Sequence, residues 1–92
     1  MEKTILLVDD HAVVRQGLKS LLNQWGYRVI AEAESGEAAI LQYQEHKPGL
    51  IIMDLDMPGM GGLEALQRIM LRQKNAKIIV YSMHDDNIYA LR

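Results

Sequence analysis

The stretch Leu50-Ile51-Ile52-Met53-Asp54-Leu55-Asp56-Met57-Pro58-Gly59 runs from unbroken apolar sequence into a carboxylate and then breaks at Pro58-Gly59. A strand over Leu50 to Asp54 ends by presenting Asp54 at its mouth, where a loop begins. A carboxylate set against a buried strand end is costly unless a charged or hydrogen-bonding group meets it. The rest of the chain must therefore supply such groups.

Upstream, Thr4 to Val8 is a second apolar run of β type, the mark of a strand covered on both faces, and Asp9 and Asp10 close it. Between the two, Val14, Leu18, Leu21, Leu22 and Trp25 recur at helical spacing over His11 to Gln24, with Asp10 as the expected N-cap and Gly26 as the stop. Arg28 to Ala33 reads as a strand with a weaker apolar signal. Ser35 caps a helix to about Lys47, with Ala39, Ile40 and Tyr43 inward and Pro48-Gly49 ending it. Downstream, Leu63, Leu66, Ile69 and Met70 mark a third helix, Lys77 to Tyr81 a fourth strand, and Asp85 or Asp86 the start of a fourth helix. Strand and helix alternate throughout. That pattern defines an α/β fold, a doubly wound parallel sheet with helices on both faces, in a single domain spanning residues 1–92.

Composition narrows the function. The chain has 92 residues, 49% of them hydrophobic and 24% charged, a net charge of −2 and no cysteine. Disulfides, thiolate zinc sites and thiol catalysis are excluded. The charge gives no electrostatic reason for this chain alone to bind nucleic acid or a membrane. The apolar run Ile5 to Val8 is too short for a signal peptide or a membrane span, so a cytoplasmic domain is expected.

Ligands of open parallel sheets bind beyond the carboxyl ends of the strands. The first strand delivers Asp9 and Asp10 there, the third Asp54, and the fourth Ser82 just past its end. Carboxylates so gathered repel one another. A hard divalent cation resolves the repulsion, and magnesium, which takes few protein carboxylates and leaves room for phosphate oxygens, suits the set. His11 at a helix start is expected to face solvent, since magnesium does not choose imidazole. His46 and His84 carry no role. Met53 and Met70 are packing residues, and Met57 and Met60 flank the loop. Gly59, Gly61 and Gly62 match neither a Walker A nor a dinucleotide loop.

Leu7-Val8-Asp9-Asp10-His11, Met53 to Gly59, Gly62-Leu63-Glu64 and Ile79-Val80-Tyr81-Ser82 together resemble the receiver domain of two-component response regulators. Asp9-Asp10-His11 and Ser82-Met83-His84-Asp85-Asp86 are most similar to the subfamily that carries a LuxR-type helix-turn-helix. The resemblance implies a flavodoxin-like sheet of order 2-1-3-4-5, an order that belongs to the family and is not read from these residues. It implies Asp54 as phosphoacceptor from a sensor histidine kinase, and Asp9 and Asp10 as the magnesium-holding pair. It further implies a main-chain carbonyl of Asp56 in the metal site and Ser82 as the switch hydroxyl, in a module without turnover of an external substrate. Receivers also carry a lysine and an aromatic switch residue on a fifth strand. None of Lys3, Lys19, Lys47, Lys74 and Lys77 lies beyond Ser82. The expectation is thus a C-terminally truncated receiver of four strands, three full helices and the start of a fourth. Its strand 77–81 would be an open edge prone to self-association or swapping. Two other functions compete: a poorly phosphorylated interaction module, and a haloacid-dehalogenase-like phosphatase suggested by the Asp54-Leu55-Asp56 spacing.

Overall fold

The computed structural model describes residues 3–82 in full and the backbone of residues 87–91. Strands β1 (Thr4–Val8), β2 (Arg28–Ala33), β3 (Leu50–Asp54), β4 (Ile78–Ser82) and β5 (Asn87–Leu91) form one sheet. Helices α1 (Ala12–Gln24), α2 (Gly36–His46) and α3 (Gly61–Arg72) connect the first four. The order is β2-β1-β3-β4-β5, with β2, β1, β3 and β4 mutually parallel. The parallel sheet is the one expected from the alternating pattern, and its order is the flavodoxin-like one that the family resemblance implies.

The continuous apolar run of β1 is explained by its place. Ile5, Leu6, Leu7 and Val8 are all fully buried, because helices cover both faces of that strand. Leu6, Val8, Ile51, Met53, Ile78 and Val80 pack with Ala39 of α2 and with Ala65, Leu66 and Ile69 of α3. Met57, on the loop after β3, belongs to this core as well. On the other face α1 buries only Leu22, and Leu21 and Trp25 of its apolar series stay largely exposed.

Helix ends follow local chemistry. Ser35 Oγ accepts the Ala38 N–H at 3.0 Å, as its position before α2 implies. Gly26 ends α1 at φ 88°, and Tyr27 N–H closes back on the Leu22 carbonyl at 3.0 Å, an arrangement that favours a residue without Cβ. At the start of α1 the expectation is corrected. The N-cap is His11, not Asp10, and no side chain caps that end. The nearest carboxylate takes a different N–H, described below.

The larger correction concerns the end of the chain. Residues Asn87–Leu91 are not the beginning of a helix but strand β5, antiparallel to β4, with Ser82 opposite Asn87 and Ile78 opposite Leu91. The expected helix starters Asp85 and Asp86, and His84, lie outside the described residues. β4 presents a row of backbone N–H and C=O groups that must be paired or hydrated. An antiparallel partner needs only a short connection, and positions 83–86 are all that separates the strands. Ile88 and Tyr89 have the side-chain types that strands favour. The edge at 77–81, expected to be open, is therefore paired with β5. Ser82 is the last residue of β4 rather than a loop residue.

Candidate functional site

The carboxyl ends of β1 and β3 lie side by side, with Val8 in register with Met53 and, on the next strand, Asp54 in register with Tyr81. Asp9 follows β1 directly, so Asp9, Asp54 and Tyr81 form a row across three strands. Asp9 and Asp54 are fully buried, and Ser82 is nearly so. Asp9, Asp10, His11 and Asp54 each offer one ligand atom, and these atoms lie within 4.8 Å of one another. The three carboxylates singled out in the sequence thus meet.

Asp9 is held from several sides. Its Oδ1 accepts the His11 backbone N–H at 2.7 Å and lies 3.1 Å from His11 Nδ1. Its Oδ2 accepts the hydroxyl of Tyr81. Its carbonyl accepts Arg15 Nη1 at 2.6 Å, and the Arg15 Nε donates to Glu32 of β2 at 3.0 Å. Asp54 Oδ1 accepts the Asp56 backbone N–H at 2.9 Å. Asp54 Oδ2 is buried and has no hydrogen-bond partner among the described residues. Asp10 Oδ1 is also buried without a hydrogen bond, although His11 Nδ1 stands 3.0 Å away at ion-pair distance but outside hydrogen-bond geometry.

These surroundings shift the titrating groups. Burial pushes the Asp54 carboxyl above its ordinary range, the Asp56 N–H pulls it back, and repulsion from Asp9, Asp56 and Asp10 raises it further. His11 is raised by its hydrogen bond to Asp9 and its attraction to Asp10. Burial, then donation to Asp9, pushes the Tyr81 hydroxyl far above the usual phenol range, so it stays a donor at any physiological pH.

The remaining expected residues are also at this edge. Ser82 Oγ donates to Asp56 Oδ2 at 2.7 Å, so the Asp56 side chain engages the site although the residue is exposed. His11 is exposed, yet its ring leans on the acidic pair instead of pointing away into solvent. Tyr81 and Arg15 went unnoticed in sequence. Tyr81 had a signal: it carries a hydroxyl at an apolar strand position, and by strand alternation it shares a face with the residues at the Asp54 register. Across the loop, Gly59 turns at φ 76°, and α3 starts hard against β3. A Cβ on Gly62 would stand 2.9 Å from Leu55 Cα and 3.2 Å from the Asp54 carbonyl carbon. Acidic side chains converge on one oxygen-rich edge, a donor set suited to a hard dication.

A parallel α/β sheet with a buried carboxylate cluster at its carboxyl edge places the chain among the doubly wound α/β domains whose sites lie beyond the strand ends. Comparison with known proteins makes this specific: residues 5–92 match the response regulator receiver domain family, and the chain belongs to it. It is similar to the chemotaxis protein CheY of Thermotoga maritima, 45% identical over 89% of this chain and 68% of CheY. It is also similar to the transcriptional activator protein ExaE of Pseudomonas putida, 43% identical over 89% of this chain but only 39% of ExaE. Among solved structures, a LuxR-family two-component response regulator from Aurantimonas sp. SI85-9A1 superposes with a TM-score of 0.85 at 41% identity, covering 88% of this chain and 59% of that one. A Borrelia burgdorferi CheX-CheY-BeF3-Mg complex gives 0.83 at 32% identity, covering 86% and 60%. Among the described residues no helix is long and apolar enough to cross a membrane.

Proposed function

We propose that this receiver accepts a phosphoryl group on Asp54 from the phosphohistidine of a sensor histidine kinase, with magnesium held by Asp9, Asp10 and Asp54. The observation that carries the reading is Asp54 Oδ2: a buried carboxylate oxygen, unpartnered among the described residues, inside a cluster of carboxylates. The group that best relieves such a cluster is a hard cation. Asp10 Oδ1, buried and without a hydrogen bond, is an oxygen available to it, while Asp54 Oδ2 is the oxygen left for the phosphoryl group. The Asp56 main-chain carbonyl completes the set in this proposal. The Borrelia CheY relative, solved with BeF3 and magnesium, supports the same chemistry.

In the transfer, Asp54 Oδ2 attacks the phosphorus as the P–N bond of the phosphohistidine breaks. The imidazole nitrogen leaves with the bonding electron pair. When bound, magnesium supplies positive charge beside the carboxylates and the phosphoryl oxygens, which such transfers need more than acid or base catalysis. Asp54 Oδ1 stays anchored by the Asp56 N–H. Ser82 releases Asp56 Oδ2 and donates to a phosphoryl oxygen. This exchange of partners is the switch, since the acyl phosphate adds charge and acceptors at one end of a packed sheet.

Acetyl phosphate with magnesium, followed by intact mass, tests the reading. One phosphoryl adduct on the wild type and none on Asp54→Asn is expected. No adduct at any magnesium concentration overturns it.

A further inference from the structure

Tyr81 reaches a place that few side chains can. β4 and β1 are separated by β3, so their axes are about 9–10 Å apart. Only a long side chain with a terminal donor bridges that gap, and Tyr81 does so from the position in register with Asp54.

Asp9 is the most constrained carboxylate in the cluster. Both of its oxygens are occupied, Oδ1 by the His11 N–H and Oδ2 by the Tyr81 hydroxyl. Without Tyr81, one oxygen of a fully buried carboxylate would lose its donor while Asp54 and Asp10 repel it. The side chain would then rotate about Cβ away from its neighbours. Each carboxylate oxygen carries two lone pairs, so a donor on each still leaves acceptor capacity for a cation.

We propose that Tyr81 is a positioning residue for cation binding: its hydroxyl fixes the rotation of Asp9 so that this carboxylate meets the same ion as Asp54 and Asp10. The inference rests on the reading of the cluster as a magnesium site. Hydrogen-bond donors to metal-holding carboxylates typically matter at the level of about 10–100-fold in affinity. No side chain other than Tyr81 donates to Asp9 Oδ2 among the described residues.

The test is titration of the full chain with magnesium chloride by calorimetry, for wild type, Tyr81→Phe and the control Tyr43→Phe. Tyr43 lies on α2, away from the acidic edge. The expected result is a Kd about tenfold weaker in Tyr81→Phe and unchanged in Tyr43→Phe, with far-ultraviolet circular dichroism the same in all three. A second measurement is made on the wild type itself. Magnesium perturbs its tyrosine ultraviolet band, because the acceptor of Tyr81 gains a cation, and the difference signal is lost in Tyr81→Phe. Equal or tighter binding by Tyr81→Phe overturns the inference, as does a wild-type tyrosine band that magnesium leaves untouched while heat of binding is seen. A wild type that binds no magnesium overturns the receiver reading itself, and this inference with it.

Discussion

One methyl group, added at two different glycines, will move stability in opposite directions. Gly62 is buried in the first turn of α3, where the atoms nearest an added Cβ are backbone atoms of Asp54 and Leu55. Neither can rotate away, so α3 must shift from the end of β3. Overpacking of this kind costs about 1–3 kcal/mol, and the better helix propensity of alanine returns at most about 1 kcal/mol. The nearest of those atoms, the Asp54 carbonyl oxygen, would lie well inside contact distance, so the cost takes the upper half of that range and Gly62→Ala should lose about 1–2 kcal/mol net, equivalent to about 4–16 °C in Tm for a domain of this size. Gly17 is the counter-case. It lies inside α1 with nothing within 4 Å of an added Cβ. Gly17→Ala should gain about 0.5–1 kcal/mol, through the lower entropy of the unfolded chain. Urea melts of both variants, with m-values compared to the wild type, read the two effects on one scale. A Gly62→Ala protein as stable as wild type, or a destabilised Gly17→Ala protein, would refute the packing argument.

Other outcomes follow from the site. Asp54 has a folded-state pKa above its ordinary 3.8, so the native state binds the extra proton and stability falls as pH rises from near 3.8 through that raised value. Asp54→Asn should thus melt higher than wild type at pH 7 in metal-free buffer, with the gap closing toward pH 3.8; a constant gap across that range would count against it. Arg15→Ala removes the donor to the Asp9 carbonyl and the partner of Glu32, and should cost about 1–2 kcal/mol in chemical denaturation. Ser82→Ala removes one hydrogen bond to the exposed Asp56 and should cost no more than about 1 kcal/mol, while weakening retention of the conformational change after phosphorylation. A Ser82→Ala loss above that of Arg15→Ala would show that Ser82 has a larger structural part.

The parallel sheet was legible because apolar runs such as Thr4–Val8 and Leu50–Met53 carry no polar alternation, and buried parallel strands need none. The acidic cluster was legible for a related reason. In a parallel sheet every strand delivers its last residue to one edge, so residues far apart in sequence must meet there. What stayed hidden depended on side-chain reach and on edge pairing. Tyr81 looked like one more strand residue, because its partner lies two strands away. His11 looked solvent-facing, because periodicity says nothing about where an exposed ring leans. The segment Asn87–Leu91 is too short for its pattern to separate helix from strand, and the unpaired edge of β4 decided between them.

The antiparallel sense of β5 makes β4 an interior strand as far as its amide protons are concerned. Its backbone groups are shared between β3 on one side and β5 on the other. Amide exchange at Ile78 to Ser82 consequently needs one of two ladders to open, and the Ser82–Asn87 pair stands at the acidic end of the newer one. In the proposed switch, a Ser82 that left Asp56 for a phosphoryl group would pull on that pair first. If that proposal holds, deuterium uptake at residues 78–82 is a local clock for the event, read without any partner protein present.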